Sequence, residues 1–339
     1  MVIPAYNAEA TLERCLDSLQ RQSFAPFQLI LVDDCSSDCT AALASSRGIE
    51  VVSFHDRAGP AEARNRGADI SQGDVILFID SDVVAPRDLL ERMGDIFVSE
   101  DGVAAVQTLY SPDCPAEDMV SRYQNFYYFF ALDRMESGST ATFATWCAAV
   151  RKDAFREAGG FNTSIPEPTV EDEELGYEIA DRGGRILLAK DIRVTHLASY
   201  SLPQFISRRL RMARAQSKSG WRSFRDRLLR RYVNFRETGT HHSRWVVLSI
   251  LLVTAVQVLL LSAAVAALLG SSAWRWLLPW SLAGLVLSQL CHLTFFGRAV
   301  SHFGAGILPG FVLMCILDMA VLGWGILQGT LQFILGRKY

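Results

Sequence analysis

The uncharged stretch from Trp245 to Leu269 limits the possible folds more than any other feature of this 339-residue sequence. A helix rises about 1.5 Å per residue, so one of this length can cross a hydrocarbon core of about 30 Å. Two further apolar stretches follow at 276–296 and 307–335, and the last contains a single acid, Asp318. Uncharged runs of this length are rare in soluble domains. We therefore expect about three transmembrane helices, at 245–269, 276–296 and 307–335, in a membrane domain covering residues 244–339.

The segment before the first apolar stretch is strongly basic. Only Asp226 and Glu237 oppose its positive side chains, which are Arg208, Arg209, Arg211, Arg214, Lys218, Arg222, Arg225, Arg227, Arg230, Arg231, Arg236 and Arg244. Such an excess next to a span marks the cytoplasmic side of a membrane and attracts anionic headgroups. Aromatic and leucine residues are interspersed among the charges, so we expect basic amphipathic helices on the membrane surface over residues 201–243. The partner of this segment is then a membrane and not a nucleic acid.

The first residues, MVIPAYN, are too short an apolar stretch for a signal peptide. Residues 1–200 are therefore expected in the cytosol, as the soluble domain of a multi-pass protein of the inner or plasma membrane. The seven cysteines lack the paired spacing of a zinc site, which favours reduced thiols.

Short apolar runs alternate with helical patterns through the first 200 residues. Strands are predicted at 2–3, 27–32, 51–54 and 75–79, and helices at 8–22, 37–46 and 61–70. This alternation predicts an α/β domain with a Rossmann-like, mostly parallel sheet and helices on both faces. Ligands of such sheets bind beyond the carboxyl ends of the strands. No GxGxxG follows the first strand and no GxxxxGK[ST] is present, which argues against dinucleotide and P-loop sites.

Acidic side chains follow two of the predicted strands. Asp33 and Asp34 end the strand at 27–32, and Asp80 and Asp82 follow the strand at 75–79. Mg²⁺ or Mn²⁺ prefers oxygen ligands and is commonly held by one or two carboxylates together with phosphate oxygens. One acid of such a pair can then reach the metal while the other accepts hydrogen bonds from sugar hydroxyls. An isolated Asp-Ser-Asp is more typical of a turn than of a metal site, so neighbouring motifs must decide.

Five stretches in sequence order carry a resemblance to glycosyltransferase family 2. They are VIPAYNAEATLERCLDSLQRQSF at 2–24, LILVDDCSSDCT at 29–40, GPAEARNRGADISQGDVILFIDSDVVAP at 59–86, WCAAVRKDAFREAGGFN at 146–162 and EDEEL at 171–175. The chain resembles the membrane-anchored members of this family of inverting enzymes, which have the GT-A fold and use nucleotide-diphospho-sugars. The resemblance covers about 200 residues and implies a GT-A domain at 1–200.

The resemblance also implies which residues bind the donor. Pro4, Ala5 and Tyr6 would line the pocket for the nucleotide base, and Asp34 would accept a hydrogen bond from the base or a nearby hydroxyl. Arg64 would lie near the nucleotide or its phosphates. Asp80 and Ser81 would lie on the ribose or sugar side.

The metal and the catalytic base are implied in the same way. Asp82 would ligate Mg²⁺ or Mn²⁺, and His196 would approach the metal or the diphosphate, although a structural histidine fits the pattern equally well. Asp172, the second acid of EDEEL, would be the base that inverting transfer requires. Its acidic neighbours should raise its pKa, and acids in the first turn of a helix also favour the helix dipole. Glu173 is one position further along that helix and should point about 100° away.

These expectations combine into a membrane-bound, metal-assisted, inverting glycosyltransferase. It would move one sugar from a nucleotide-sugar donor to a lipid or lipid-linked acceptor by direct displacement. A processive polysaccharide synthase remains an alternative, although Gln204 and Arg208 are not followed by the Trp of its Q-x-x-R-W motif. A non-catalytic membrane scaffold with a transferase-like domain is a second alternative. A transporter is disfavoured because Asp318 alone makes a poor ion pathway.

Overall fold

The computed structural model describes residues 1–135, 138–140, 143–164, 169–227 and 244–336. The strands are β1 (Val2–Ala5), β2 (Ile30–Asp33), β3 (Glu50–Ser53), β4 (Val75–Ile79), β5 (Val83–Val84), β6 (Val103–Tyr110), β7 (Ser139–Thr140), β8 (Cys147–Arg151) and β9 (Arg185–His196). The helices up to residue 200 are α1 (Glu9–Gln20), α2 (Thr40–Ser46), α3 (Pro60–Ile70), α4 (Leu89–Ser99), α5 (Met119–Asp133), α6 (Lys152–Glu157) and α7 (Glu171–Asp181).

The strands form one mixed sheet in the order β3-β2-β1-β4-β8-β6-β9-β5, with β7 beside β9. The first half, β3-β2-β1-β4, is parallel as the alternation predicts, and β6 and β9 are also parallel. β8 is antiparallel to both of its neighbours, β4 and β6. The parallel half aligns the carboxyl ends of β1, β2 and β4 at one edge, so the residues that follow these strands meet there.

Helices cover both faces of the sheet because successive strand residues point to opposite sides. The core on one face includes Ile3, Leu31 and Leu77 with side chains from α1 and α4. The core on the other face includes Val2, Ile30 and Phe78 with side chains from α3, α6 and α7. Full burial of such a side chain stabilises the fold by about 1.5–3 kcal/mol.

Two predicted elements begin three residues later than the sequence pattern indicates. The strand predicted at 27–32 begins at Ile30, because the partner residues in β1 and β3 begin at Val2 and Glu50, opposite Ile30. The helix predicted at 37–46 begins at Thr40, because polar side chains hold the preceding backbone in a loop. The N–H of Ser37 donates to Asn7 Oδ1 at 2.8 Å, and the N–H of Thr40 donates to Asp38 Oδ1 at 3.0 Å.

The C-terminal part is helical. It contains α8 (Leu202–Arg227), α9 (Arg244–Leu268), α10 (Trp274–Leu290), α11 (Leu293–Phe303), a 3₁₀ turn (Ala305–Ile307) and α12 (Leu308–Ile334). α12 packs along α8, and α9 packs against α10 and α12. The basic segment predicted at 201–243 is helical as far as Arg227, and its remainder, 228–243, lies outside the described residues.

Among the described residues, two helices are long and apolar enough to cross a membrane, Trp245–Leu268 and Ala305–Ile334. They correspond to the first and third predicted spans. The predicted stretch 276–296 is not one straight helix, since α10 and α11 meet at an angle of 61°, and they add a third crossing only if the bent pair is one span. Polar contacts hold α11 to the α/β domain: Arg298 pairs with Asp133 at 2.7 Å and His302 with Asp113 at 2.8 Å.

Candidate active site

The edge where β1 and β2 end carries Tyr6 and Asp34. Both oxygens of Asp34 accept backbone hydrogen bonds, from Ala58 at 2.7 Å and from Gly59 at 2.9 Å. Gly59 has φ 92°, a conformation that favours glycine, and it precedes α3. Asp34 therefore fixes the loop that leads into α3. Tyr6 is 42% exposed and its ring lies 4.0 Å from the Arg57 guanidinium carbon.

Pro4 and Ala5 lie within β1 and are buried. Of the three residues expected to line the base pocket, only Tyr6 therefore offers an open side chain. The parallel register pairs Ala5 with Asp33, so Tyr6 and Asp34 follow directly at the same edge of the sheet.

Arg64 on α3 connects the ends of two other elements. Its Nη2 donates to Asp80 Oδ1 at 2.9 Å, and its Nη1 donates to Glu171 Oε1 at 3.0 Å. Its Nε has no hydrogen-bond partner among the described residues. Burial raises the pKa of Asp80, and the charge of Asp82 adds to this while Arg64 opposes it. Arg64 thus compensates one acid of the pair that follows β4.

The second acid of the pair faces a histidine. Asp82 precedes β5, which pairs with the end of β9, and Asp82 Oδ2 lies 3.4 Å from His196 Nε2. Burial alone would raise the pKa of Asp82, but the hydrogen bond and charge of His196 and the charge of Arg208 hold it below its usual range. Ser81 lies in the turn between the two acids.

An aromatic stack supports the histidine. The His196 ring stacks on Tyr110 with centroids 4.6 Å apart, and Tyr110 stacks on Trp146 at 4.5 Å. Trp146 Nε1 donates to the Thr108 carbonyl at 3.3 Å. The orientation of His196 is therefore set by packing as well as by Asp82.

Asp172 and Glu173 lie in the first turn of α7. Asp172 Oδ1 accepts from the Glu173 N–H at 2.8 Å, and Asp172 Oδ2 accepts from the Thr145 N–H at 3.4 Å. Burial raises the pKa of Asp172 to about 8, and the charges of Glu171 and Glu173 add to the shift. Burial also raises the pKa of Glu173, to about 7, although Gln216 donates a hydrogen bond to it at 3.2 Å. A carboxyl with such a pKa can accept a proton near neutral pH.

These groups surround one cavity of about 130 Å³. It brings together four of the predicted site residues, which are Arg64, Asp80, Asp172 and His196. Asp82 is not among the lining residues, but it contacts His196, which is one of them. Pro4, Ala5, Tyr6, Asp34 and Ser81 are not among the residues that line this cavity, although they lie at or near the same edge of the sheet.

The expectation that Glu173 points away from the site is wrong. Asp172 and Glu173 both line the cavity. Adjacent helical side chains do diverge, but Gln216 on α8 draws the longer Glu173 side chain toward the cavity wall.

Sequence reasoning missed several cavity residues, among them Arg208, Gln216, Tyr110 and Trp146. Arg208 was assigned to the membrane surface with the rest of the basic segment. In the structure it lines the cavity, and its Nη1 donates to the Tyr200 hydroxyl at 2.8 Å. The spacing of Gln204 and Arg208, close to the Q-x-x-R-W pattern, could have identified it, as the WCAAV stretch could have identified Trp146. Tyr110 has no comparable signal.

Comparison with known proteins finds related glycosyltransferases. Residues 1–159 match the family model described as glycosyl transferase family 2. The chain is 25% identical over 195 residues to the glycosyltransferase GlyG of Streptococcus pneumoniae. This match covers 55% of this chain and 60% of that protein. The chain is 29% identical over 217 residues to the pre-mycofactocin glycosyltransferase of Mycobacterium tuberculosis, covering 62% of this chain and 44% of that protein. The chain thus matches about half the length of these relatives.

A solved structure extends the likeness to the helical part. The mannosyltransferase PcManGT from Pyrobaculum calidifontis, in complex with GDP-Man and Mn²⁺, superposes with a TM-score of 0.59. The match covers 99% of this chain and 86% of that one at 16% identity. At this identity the likeness shows a shared fold.

Proposed function

We propose that this chain, whose residues 1–159 match glycosyltransferase family 2, transfers one sugar from a nucleotide-diphospho-sugar to an acceptor hydroxyl, with inversion at the anomeric carbon. The observation that carries the proposal is the shared cavity. Asp80 of the strand-end acid pair and the proton-accepting Asp172 line it together, although 92 residues separate them in sequence. Direct displacement needs both a donor site and a base in one such space.

The donor would lie along the carboxyl edge of the sheet. Tyr6 offers an exposed ring for the nucleotide base, and Asp34 holds the loop before α3 through Ala58 and Gly59. Arg208 supplies a positive charge in the cavity wall suited to the diphosphate. Asp80, held by Arg64, would face the ribose or the sugar.

The residues at the end of β4 fit a divalent cation. Asp82 and His196 offer one carboxylate and one imidazole 3.4 Å apart, and the described part of the chain contains no group of three or more potential ligands. Two side chains suffice, because Mg²⁺ and Mn²⁺ commonly take their other oxygens from substrate phosphates and water. When bound, the ion would offset the charge that develops on the departing diphosphate. The Mn²⁺ in the PcManGT complex is consistent with this assignment.

Asp172 would act as the base. Its carboxylate takes the proton of the acceptor hydroxyl while the acceptor oxygen bonds to the anomeric carbon. The bond from that carbon to the diphosphate oxygen breaks on the opposite face, and the nucleoside diphosphate leaves with the electron pair. Each transfer thus yields one glycosylated acceptor, one nucleoside diphosphate and one proton.

The acceptor would be a lipid or a lipid-linked group at the cytosolic face of a membrane. In the part of the chain that the structure describes, two helices are long and apolar enough to span a bilayer. α12, one of them, packs along α8, which lines the cavity through Arg208 and Gln216. This arrangement supports a reaction close to the membrane surface.

A substrate screen tests the proposal. Detergent-solubilised full-length protein is incubated with Mn²⁺ or Mg²⁺, total membrane lipids and a panel of nucleotide sugars carrying a radiolabelled sugar. We expect label in the lipid fraction and stoichiometric release of nucleoside diphosphate with one donor. Absence of lipid labelling and of nucleoside diphosphate release with every donor would contradict the proposal.

A further inference from the structure

We propose that Asp318, inside the apolar helix α12, is a positioning residue for the candidate active site and acts through Arg209 on α8. The inference rests on the proposed function for its catalytic readout. Arg209 Nε and Nη2 contact Asp318 Oδ1 and Oδ2 at 2.6 and 2.5 Å, in a bidentate pair. The Tyr123 hydroxyl donates to Asp318 Oδ2 at 3.0 Å. The Asp318 side chain is fully buried and that of Arg209 is 4% exposed.

Two adjacent stripes of α8 connect the pair to the cavity. One stripe lines the cavity, and the other packs on α12. The cavity stripe is Arg208, Met212 and Gln216, and the stripe on α12 is Arg209, Ala213 and Ser217. Both stripes have the i, i+4 spacing of a single helix face. A rotation of α8 about its axis, or a slide along α12, therefore moves the cavity side chains.

Close packing makes this interface sensitive to register. A Cβ atom at Gly325 would lie 2.5 Å from Ala213 Cβ, and one at Gly329 would lie 2.5 Å from the Arg214 carbonyl oxygen. Ser217 Oγ donates to the Ile326 carbonyl at 3.1 Å. Small residues let two helix backbones approach this closely. The Arg209–Asp318 pair can form in only one register of the two helices.

Arg209 also lines the cavity itself. Its guanidinium carbon lies 4.7 Å from the ring centroid of Tyr127 and 5.9 Å from that of Tyr128, and both rings line the cavity. Asp318 thus holds Arg209 against the aromatic side of the site as well as holding α8 in register.

Stabilisation of the fold does not by itself explain a buried Arg209–Asp318 ion pair. Desolvation of two buried charges offsets much of their attraction, and well-packed apolar side chains of similar size often serve stability equally well. A buried polar pair is best attested as a device that fixes register. A variant that removes both charges therefore separates positioning from stability.

The test uses the full-length protein in detergent with three variants. Asp318→Asn removes one charge, and the double variant Arg209→Met with Asp318→Leu removes both. Ser249→Ala is the control, because Ser249 is a buried hydroxyl that bonds the Ser288 carbonyl at 3.3 Å between α9 and α10, away from α8. Each variant is assayed for kcat and KM with the donor found active on the wild-type protein. Binding of UDP and GDP in the presence of Mn²⁺ is titrated in parallel.

A readout independent of catalysis accompanies the kinetics. Nitroxide labels at Ser207→Cys on α8 and Val98→Cys on α4 report the position of α8 relative to the sheet by pulsed electron resonance, after the accessible native cysteines are replaced by serine. Ser207 and Val98 are both exposed.

We expect the double variant to melt near the wild-type temperature and still to lose about 10- to 100-fold in kcat/KM, with a broadened label distance, since displacements of about 1 Å can have this effect. Asp318→Asn should lose at least as much, and Ser249→Ala should match the wild type. If Asp318→Asn fails to fold, the double variant carries the test. A narrow wild-type distance in the double variant would overturn the inference whatever its kcat/KM, because Arg209 itself lines the cavity and its loss can lower activity directly. If the wild-type protein neither binds nucleotide nor transfers sugar, the proposed function fails, and the distance distribution alone decides the role of Asp318.

Discussion

Asp172 is the residue whose protonation state matters most for the proposed reaction. It is half-buried, and its closest charged neighbours on α7 are acids. Burial and these neighbours raise its pKa to about 8, while Arg64 opposes the shift. The group is therefore mostly protonated at pH 7, and the ionised fraction that can accept a proton grows as the pH rises through about 8.

The same pKa predicts a pH dependence of stability. An unfolded aspartate has a pKa of about 4, so the folded protein holds this proton more tightly than the unfolded chain does. The resulting stabilisation is fully present below about pH 4 and is lost as the pH rises through about 8. We expect Asp172→Asn, which never ionises, to gain stability relative to the wild type as the pH increases from 4 to 9. Thermal unfolding of both proteins across this range checks the sign, and a constant difference in melting temperature would contradict the raised pKa.

Asp82 should be needed for metal-dependent activity. We expect Asp82→Ala to abolish transfer with Mg²⁺ or Mn²⁺ while the fold stays intact, because His196 then remains as the sole side-chain ligand beside the diphosphate. Asp95→Ala is a matched control, since Asp95 is exposed on α4. Transfer rates with each metal and with EDTA provide the measurement. Full activity of the wild-type protein in EDTA would exclude the metal.

At the scale of elements, Arg64 connects α3, the end of β4 and α7. Its side chain and that of Glu171 are each 5% exposed, and removal of one partner of a buried ion pair typically costs about 3–5 kcal/mol. We expect Arg64→Met to destabilise the protein by about this amount, because Asp80 and Glu171 lose their shared cation. Arg66→Met, at an exposed position of the same helix, should change stability by less than about 0.5 kcal/mol. Denaturant titrations of both variants measure the difference, and equal effects would contradict the structural role of Arg64.

The elements near the N-terminus could be predicted because their sequence signals are local. β4 has the predicted bounds, since Val75–Ile79 is a continuous apolar run before Asp80. The antiparallel placement of β8 between β4 and β6 could not be predicted, because the sequence of a strand does not show which distant strands pair with it. The break between α10 and α11 was also missed, since the contacts of Arg298 and His302 join residues more than 150 positions apart.

The candidate site likewise contains some residues that the sequence predicts and others that it does not. Arg64, Asp80, Asp172 and His196 come from separate sequence motifs and line one cavity in the structure. Arg208 and Gln216 could not be placed from composition, since a basic amphipathic helix on a membrane and one that walls a cavity have the same pattern. The deciding contacts are those with Tyr200 and Glu173, which sequence spacing does not show.

At the scale of the whole molecule, α8 joins the candidate active-site cavity to the apolar helices. The excess of basic residues before α9 predicts an orientation of the chain in a membrane. A reporter fused before Met1 should respond as cytosolic, and one inserted between Gly270 and Arg275, after the apolar helix α9, should respond as external. The measurement is accessibility of each reporter in intact cells. An external N-terminal domain would contradict the assignment and would separate the site from nucleotide sugars, which are chiefly cytosolic.

The central claim, that Asp172 is the base in a glycosyltransferase cavity, is tested most directly by comparing two neighbouring isosteric variants. Transfer rate and donor affinity are measured for Asp172→Asn and Glu173→Gln in the same preparation. General-base catalysis typically contributes about 10² to 10⁴ in rate, so Asp172→Asn should lose turnover by that factor while donor affinity changes little. Glu173→Gln should lose much less turnover, because the Glu173 carboxylate already accepts a hydrogen bond from the Gln216 side chain. If Glu173→Gln were inactive and Asp172→Asn nearly normal, Glu173 would be the base in place of Asp172. Full activity of both variants would contradict the account.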